Sequence, residues 1–431
     1  MTEKSGPLVK SCGDLLRPDG TRTVVRPFHV TDPLTEGNVG GRTDEIIKRI
    51  LSLSPEDLQR ELHSTVEQLS ARDHDVEILF DQRFAQLQER FEGRLEVTGE
   101  QALLIGAFFS EEYSIEAAAL FNPSVIPHFD QTGLADGDTR IILSLRGIGE
   151  GHISSLIFQT GVWHADGTTT LDPRVSPAAG PTMVMPTLDG SKRTAELTFP
   201  DGPIGERVIY PFLPSQGRGI EDARFCRFVE DDGTVDYRCT FTAFDGMEVR
   251  QSIFQTRDFR DLTGRRLDGD LAFRKGAAWF PRRIDGRYRM LGRLDDESIF
   301  LLTSDDPHEW HGGEAIIRPR FSWEFVQMGN CGSPIEIDEG WLVLTHGVGR
   351  ARRYCIGAAL LDRDDPSRVL ARTPEPLLEP DGNERGGYVP NVIYSCGGMV
   401  RGRSLLLPYG VADNYAAMGT VDLDRLLSAM G

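Results

Sequence analysis

The amino-acid sequence predicts a mainly β fold, a five-bladed β-propeller with an N-terminal helical region. Three observations carry this. Helical stripes are confined to about the first 120 residues, short apolar runs between acidic and glycine-rich turns begin near residue 122, and one hairpin plan returns at a regular interval. In the first region, Ser54-Pro55-Glu56-Asp57 offers a capping serine, a proline at the first helical position and acids in the first turn. Leu58, Leu62, Val66 and Leu69 then follow at helical spacing, and Val76, Phe80, Phe84, Leu87 and Phe91 make a second stripe. Thr98-Gly99-Glu100-Gln101 reads as a capping box that opens a third helix through about Ala119. Such stripes form cores, so residues 1–120 are expected to be a helical extension or cap and residues 121–431 the propeller.

The β region is read from its repeats. Arg224–Val229, a Glu230-Asp231-Asp232-Gly233 turn and Tyr237–Thr242 form one hairpin. The plan returns in Trp279–Ile284 with Tyr288–Leu291, in Pro334–Ile337 with Trp341–Leu344, and in Val392–Tyr394 with Leu405–Leu407. A divergent first copy runs from Ser124–Ile126 to Ile141–Leu143. With Phe225, Phe280, Ile335 and Val392 as anchors the spacings are 55, 55 and 57 residues, a period that marks propellers and other repeat arrays. The longer gap after the first copy is expected to hold an inserted excursion over about residues 165–205.

The chain of 431 residues carries 47 Lys plus Arg against 66 Asp plus Glu, a formal charge of −19. That excess repels phosphate backbones, so no nucleic-acid partner and no membrane partner is expected, although a local cationic cluster can still hold a small anion. Cys12, Cys226, Cys239, Cys331, Cys355 and Cys396 fall in no metal-ligand or disulfide spacing and read as reduced, buried small apolar residues. No metal and no cofactor are expected. Residues 1–6 contain no apolar leader segment and no run approaches a membrane span, which reads as a cytoplasmic protein.

In an antiparallel hairpin the start of the first strand lies beside the end of the second, so flanking residues of every copy gather at one end of the propeller axis. Asn122, Asp222, Lys275, Ser333 and Asn391 precede the first strands, and Arg146, Asp245, Arg293, His346 and Asp413 follow the second. All are polar or charged, and loops on a rigid scaffold are where binding and catalysis concentrate. Zinc, nucleotide-phosphate and nucleophilic-serine motifs are absent from the sequence. Asp222, at a strand start, is the strongest general-acid candidate, with Glu221 as a neighbour expected to raise its pKa. Arg146, Arg250, Lys275, Arg293 and His346 offer charge-assisted hydrogen bonds to an oxyanion. An inverting glycosidase needs an acid and a base carboxylate; phosphorolysis needs one acid and a cationic clamp, because the nucleophile arrives as an anion. The ring is richer in cations than in paired carboxylates, yet Glu221, Asp245, Asp295 and Asp413 leave a base available.

The residues then carry a family resemblance over roughly 120–420. Phe121-Asn122-Pro123-Ser124, Gly219-Ile220-Glu221-Asp222-Ala223-Arg224-Phe225, Lys275 through Phe280-Pro281, Thr345-His346-Gly347-Val348, Val389-Pro390-Asn391-Val392 and Tyr409-Gly410-Val411-Ala412-Asp413 resemble the blocks of glycoside hydrolase family 130, the β-mannoside phosphorylases and related mannosidases. The resemblance implies a five-bladed propeller and an inverting transfer of a β-linked mannosyl group to inorganic phosphate, giving α-mannose 1-phosphate. It implies that Asp222 is the general acid, its proton relayed through the 3-hydroxyl of the mannose. It also implies that Asn122, Arg146 and Asp413 contact sugar, and that Arg250, Lys275 and His346 face phosphate; from the same ring, Asn391 is expected to bind sugar and Arg293 phosphate.

Two departures stand out. Ala223 replaces the proline of the usual Glu-Asp-Pro-Arg, and Gly292 stands where several phosphorylases carry a histidine, so His152 in the Gly149-Glu150-Gly151-His152 turn is a candidate substitute phosphate ligand. The expected partners are a β-manno-oligosaccharide and phosphate, with homo-oligomer formation left open. A β-mannosidase on the same scaffold and a propeller that only binds glycans are the alternatives. Trp279, Trp323, Tyr354 and Tyr388 are read mainly as packing residues.

Overall fold

A computed structural model describes residues 7–28, 30, 41–70, 76–90, 95–189, 192–381 and 386–430. Phe91 of the second helical stripe and the first six residues lie outside them. The chain divides into two compact units, one of Thr21–Ser114 with Ser176–Gly180, the other of Met1–Gly20, Ile115–Val175 and Pro181–Gly431. This differs from a single boundary at residue 120.

The smaller unit holds helices Arg42–Leu51, Pro55–Ser70, Val76–Arg90 and Gly99–Phe108. Ser54 accepts from the Asp57 backbone N–H at 3.2 Å, and Thr98 with Gln101 completes the capping box. Ile47, Ile50, Leu58, Phe84, Leu87, Leu104 and Ile105 form its core. Gly106 lets the last two helices touch, since a Cβ there would lie 2.0 Å from the Phe80 carbonyl oxygen. The helix expected to reach Ala119 ends at Phe108. Ser110–Ser114 is instead a strand antiparallel to Thr23–Pro27, because Tyr113 is buried between exposed Glu112 and half-buried Ser114 and the ladder pairs Arg26 with Glu111 at 2.7 Å.

The larger unit is mainly β. Its strands fall into one 11-stranded sheet, whose first and second antiparallel groups join through a parallel pairing of Gly219 with Ser154, and three further antiparallel sheets, the third, fourth and fifth groups in chain order; a short parallel pair, Asp268–Gly269 with Glu309–Trp310, stands apart. The first contains Ala119–Pro127, Thr139–Ile148 and Ser154–Trp163; the second Gly219–Val229, Val235–Phe244, Val249–Thr256 and Asp261–Arg266. The third contains Ala278–Trp279, Tyr288–Gly292, Ile299–Ser304 and Glu314–Ile317; the fourth Ile335–Ile337, Gly340–Val348, Tyr354–Leu361 and Val369–Arg372. The fifth contains Ile393–Tyr394, Ser404–Val411 and Tyr415–Asp422, and Val9–Ser11 adds to its outer edge with Val9 opposite Val421. The expected excursion contains the hairpin Thr182–Asp189 and Lys192–Thr198, which joins the second group through Asp261 opposite Thr198.

Apolar clusters bind each group to the next. Phe158 meets Phe225 edge-on at 5.8 Å between the first and second. Phe228 meets Trp279 at 6.0 Å between the second and third, and Phe280 meets Trp341 at 5.1 Å between the third and fourth. Leu342 and Leu344 pack with Ile393, Leu405 and Leu407 between the fourth and fifth. The fifth touches the first where the Cys396 N–H donates to the Pro123 carbonyl at 2.8 Å and the Val125 N–H to the Gly397 carbonyl at 3.2 Å. All six cysteines are buried and unpaired. Among the described residues no helix is long and apolar enough to cross a membrane.

Candidate active site

Each group opens with one residue in the left-handed region: Asn122 (φ 49°), Asp222 (54°), Gly276 (90°), Gly332 (93°) and Asn391 (65°). At Asn122 and Asp222 the ladder slips, between Phe121 and Ser124 and between Glu221 and Arg224. These are bulges, which re-aim a side chain out of the sheet. The third and fourth groups use glycine at this position, so the backbone equivalents are Gly276 and Gly332, each one residue away from the expected Lys275 and Ser333. Asn and Asp tolerate a left-handed backbone better than other side-chain-bearing residues, which suits the three positions that carry one.

The bulges bring Asn122 and Asp222 together: Asn122 Nδ2 donates to Asp222 Oδ1 at 2.7 Å. Arg146 donates from Nη2 to Glu221 Oε1 at 2.6 Å and from Nε to Ser154 Oγ at 2.8 Å, and its Nη1 lies 3.7 Å from Asp222 Oδ1. Lys275 Nζ donates to Glu221 Oε2 at 3.2 Å. Glu221 therefore sits between two cations. Burial opposes ionisation of Asp222, but Arg146, Lys275, Arg224 and the Asn122 hydrogen bond outweigh it and hold the carboxyl below its ordinary range. The upward shift expected from Glu221 is not found, because Arg146 and Lys275 neutralise that neighbour. Asp413 goes the other way. Burial, opposed in part by Arg146 and reinforced by Asp222, pushes it up to about 6.

The other side of the ring is cationic. Arg224 is fully buried and donates from Nη1 to the Gly276 and Asn330 carbonyls, each at 3.0 Å, and from Nη2 to Tyr394 Oη at 2.7 Å. Sequence reasoning gave this residue no role, although it stands two positions after Asp222. Arg293 also approaches Gly276, where a Cβ would be 3.7 Å from both guanidinium groups. Its Nε is buried without a hydrogen-bond partner, and among the described residues no carboxylate pairs with it. His346 is buried between Tyr354 and Tyr394. A Cβ on Gly329 would lie 2.5 Å from His346 Cε1 and 3.4 Å from Arg293 Cδ, so that glycine lets the two side chains meet. Burial, with Arg293 and Arg224, pushes the imidazole pKa well below its ordinary value. His346 is therefore neutral near pH 7 and offers a ring hydrogen bond, not the positive charge expected of it.

The remaining candidates are dispersed. Arg250 pairs with Glu248 at 2.7 Å and lies 3.8 Å from the Phe273 ring centroid. Asp245 accepts from the Met247 and Glu248 N–H groups, and Asp295 from those of Glu297 and Ser298, so both carboxylates cap turns. The Asn391 carbonyl accepts from the Tyr354 N–H at 2.9 Å. His152 is placed against Tyr388, ring centroids 5.7 Å apart, and no hydrogen bond or ion pair among the described residues joins it to Lys275, Arg293 or His346.

The family model for glycoside hydrolase family 130, described as beta-1,4-mannooligosaccharide phosphorylase, matches residues 205–431, just over half of the chain. The chain belongs to glycoside hydrolase family 130. Within the family it is 34% identical over 211 residues to a 1,2-beta-oligomannan phosphorylase of Thermoanaerobacter sp. (strain X514), covering 48% of this chain and 69% of that one. It is 33% identical over 229 residues to a beta-1,2-mannobiose phosphorylase of Listeria innocua, covering 51% and 62%. A solved glycosyl hydrolase from Bacteroides ovatus shares the fold, with a TM-score of 0.53 at 20% identity over 73% of this chain and 87% of that one. The family match spans Glu221, Asp222, Lys275, Arg293, His346 and Asp413, and begins after Asn122 and Arg146.

Proposed function

We propose that this protein is an inverting β-mannoside phosphorylase on a five-bladed β-propeller. The five antiparallel groups, each packed on the next and the fifth on the first, support the propeller. The carrying observation for the chemistry is the pairing of one carboxylate cluster with cationic space beside it: Glu221 is already held by Arg146 and Lys275, whereas Arg293 lies near His346 with no carboxylate partner among the described residues. Phosphate supplies the missing anion. Asn122, Arg146, Asn391 and Asp413 are assigned to the mannosyl unit, and Lys275, Arg293 and neutral His346 to phosphate, with Arg250 and His152 farther out.

In this reading a phosphate oxygen attacks C1 of the mannose from the face opposite the glycosidic bond. The bond to the leaving oxygen breaks, and the proton held by Asp222 reaches that oxygen through the mannose 3-hydroxyl. The products are α-mannose 1-phosphate and a sugar shorter by one unit. Asp222 must be protonated to act, yet Arg146 and Lys275 hold it ionised in the free protein. A phosphate anion drawing on Lys275 weakens that hold and adds like charge, which raises the Asp222 pKa when the site fills.

Hydrolysis is the second reading, and one observation favours it: Asp413, with its pKa near 6, is matched to a base that activates water. Incubation with β-1,2-, β-1,3- and β-1,4-mannosides, with and without phosphate, separates the two. Mannose 1-phosphate formed only with phosphate supports phosphorolysis. Free mannose at a rate independent of phosphate replaces it with hydrolysis.

A further inference from the structure

Tyr388 departs from its expected packing role. It is 75% exposed, while Trp279, read in the same way, is completely buried. Its ring is nevertheless not loose in solvent, because it lies against the exposed His152 ring at 5.7 Å and 32°. Both rings stand on fixed backbone. Gly387 packs so closely on the fifth group that a Cβ there would be 2.2 Å from the Ala412 carbonyl oxygen, and the Val389 N–H donates to that same carbonyl at 3.2 Å. His152 has φ 55° in a tight turn closed by the Gly149 N–H to the Ile153 carbonyl at 3.2 Å. The same turn recurs at Gly349–Arg353, where Ala351 and Arg352 both have φ 54°, so this geometry belongs to the scaffold.

The place matters as much as the exposure. The carbonyl that holds the backbone on both sides of Tyr388 belongs to Ala412, next to Asp413, whose carboxyl is raised first by burial and is also felt by Arg146, Asp222 and Glu221. Tyr388 thus stands on backbone that touches the residue before Asp413, and His152 lies in the turn that follows the strand carrying Arg146. Two adjacent aromatic rings presented rigidly at the edge of a polar site are suited to the apolar C–H face of a sugar, since tyrosine offers a large contact area with little rotamer entropy to lose.

We propose that Tyr388, backed by His152, is the platform on which the sugar leaving the reaction stacks, and that it sets the preference for that acceptor sugar. This rests on the phosphorylase reading and deepens it. His152 then acts on the acceptor and not as the substitute phosphate ligand suggested by the sequence. In this proposal the platform meets the leaving sugar and neither the mannosyl C1 nor phosphate, so its removal should act on one substrate only.

The test is the synthetic direction, with α-mannose 1-phosphate as donor and mannose or β-1,2-mannobiose as acceptor. For Tyr388→Ala the acceptor KM should rise about five- to tenfold, the scale of one lost aromatic contact, with the donor KM unchanged. Tyr388→Phe should restore the wild-type acceptor KM, and the exposed side chain leaves thermal unfolding as a check that the fold is intact. An unchanged acceptor KM, or equal rises for donor and acceptor, overturns the proposal. If the wild-type protein forms no mannose 1-phosphate from any mannoside, the phosphorylase reading itself has failed. Calorimetric binding of β-1,2-mannotriose then decides: weaker binding to Tyr388→Ala but not Tyr388→Phe keeps the platform, and equal or absent binding removes it.

Discussion

The two sides of the candidate site are built on opposite electrostatic plans. Around Asp222 two carboxylates are held: Asn122 donates to Asp222, and Arg146 and Lys275 hold Glu221. Around Arg293 no described carboxylate answers the cation; its buried Nε lacks a partner among the described residues, and the nearby histidine is kept neutral by burial. A closed network fixes geometry, whereas an open cationic pocket beside it is suited to an arriving anion. The contrast teaches that the acid and the nucleophile site are separate devices, so mutations on the two sides should fail differently.

The largest effect is expected at Asp222. Asp222→Asn should lower kcat by about a thousandfold or more, within the range for loss of a general acid, while circular dichroism stays native. Retention of most activity would remove Asp222 from the acid role. On the open side, Arg293→Ala should raise the KM for phosphate by about 10- to 100-fold, the scale of a lost charge-assisted hydrogen bond, with a much smaller change in the KM for mannoside. Lys275→Ala should act in the same direction but also lower kcat, because Lys275 touches both devices. If Arg293→Ala changes both KM values alike, the two sides are not separate.

The coupling between the sides can be read as protons. Sulfate, which does not titrate near neutrality, should bind at pH 5.5 with net proton uptake, measured by calorimetry in buffers of different ionisation enthalpy. Asp222→Asn should reduce that uptake; an unchanged value would mean that anion binding does not raise the Asp222 pKa. The smallest effect concerns Asp413. Its folded pKa, about 6, lies above the ordinary carboxylate value, so its contribution favours the fold at low pH and is lost as pH rises through about 6. Asp413→Asn should therefore stabilise the protein at pH 7.5 by on the order of 1–2 kcal/mol, and little at pH 4. Thermal unfolding at the two pH values checks the sign.

Much of the mainly β organisation was legible because Phe225, Phe280, Ile335 and Val392 announce their strands at near-equal spacing. The capping box at Thr98 was legible for a local reason, since both of its hydrogen bonds run between residues three apart. The strand Val9–Ser11 was not. Its three residues carry no pattern, and its partner near Val421 is over 400 residues away. The end of the helix at Phe108 was missed because apolar residues continue past it, and only the Thr23–Pro27 partner turns the following segment into a strand.

Within the site, Asn122, Arg146, Asp222 and Lys275 are gathered as expected, through Glu221 in the case of Lys275. The single-residue offset at Gly276 and Gly332 was hidden, because a left-handed backbone is marked only by glycine, asparagine or aspartate. The neutrality of His346 and the burial of Arg224 depend on neighbours more than 40 residues distant, which no local pattern reports. Tyr388 was misread for the same reason: residue type suggests packing, and exposure is a property of the fold.

The central claim is that phosphate, not water, attacks the mannosyl carbon. The most direct measurement is turnover of β-1,2-mannobiose in water enriched in oxygen-18 with unlabelled phosphate, followed by mass spectrometry of the first product. The account predicts α-mannose 1-phosphate with no solvent oxygen. Free mannose carrying one oxygen-18 atom at C1, formed at the same rate without phosphate, would contradict it.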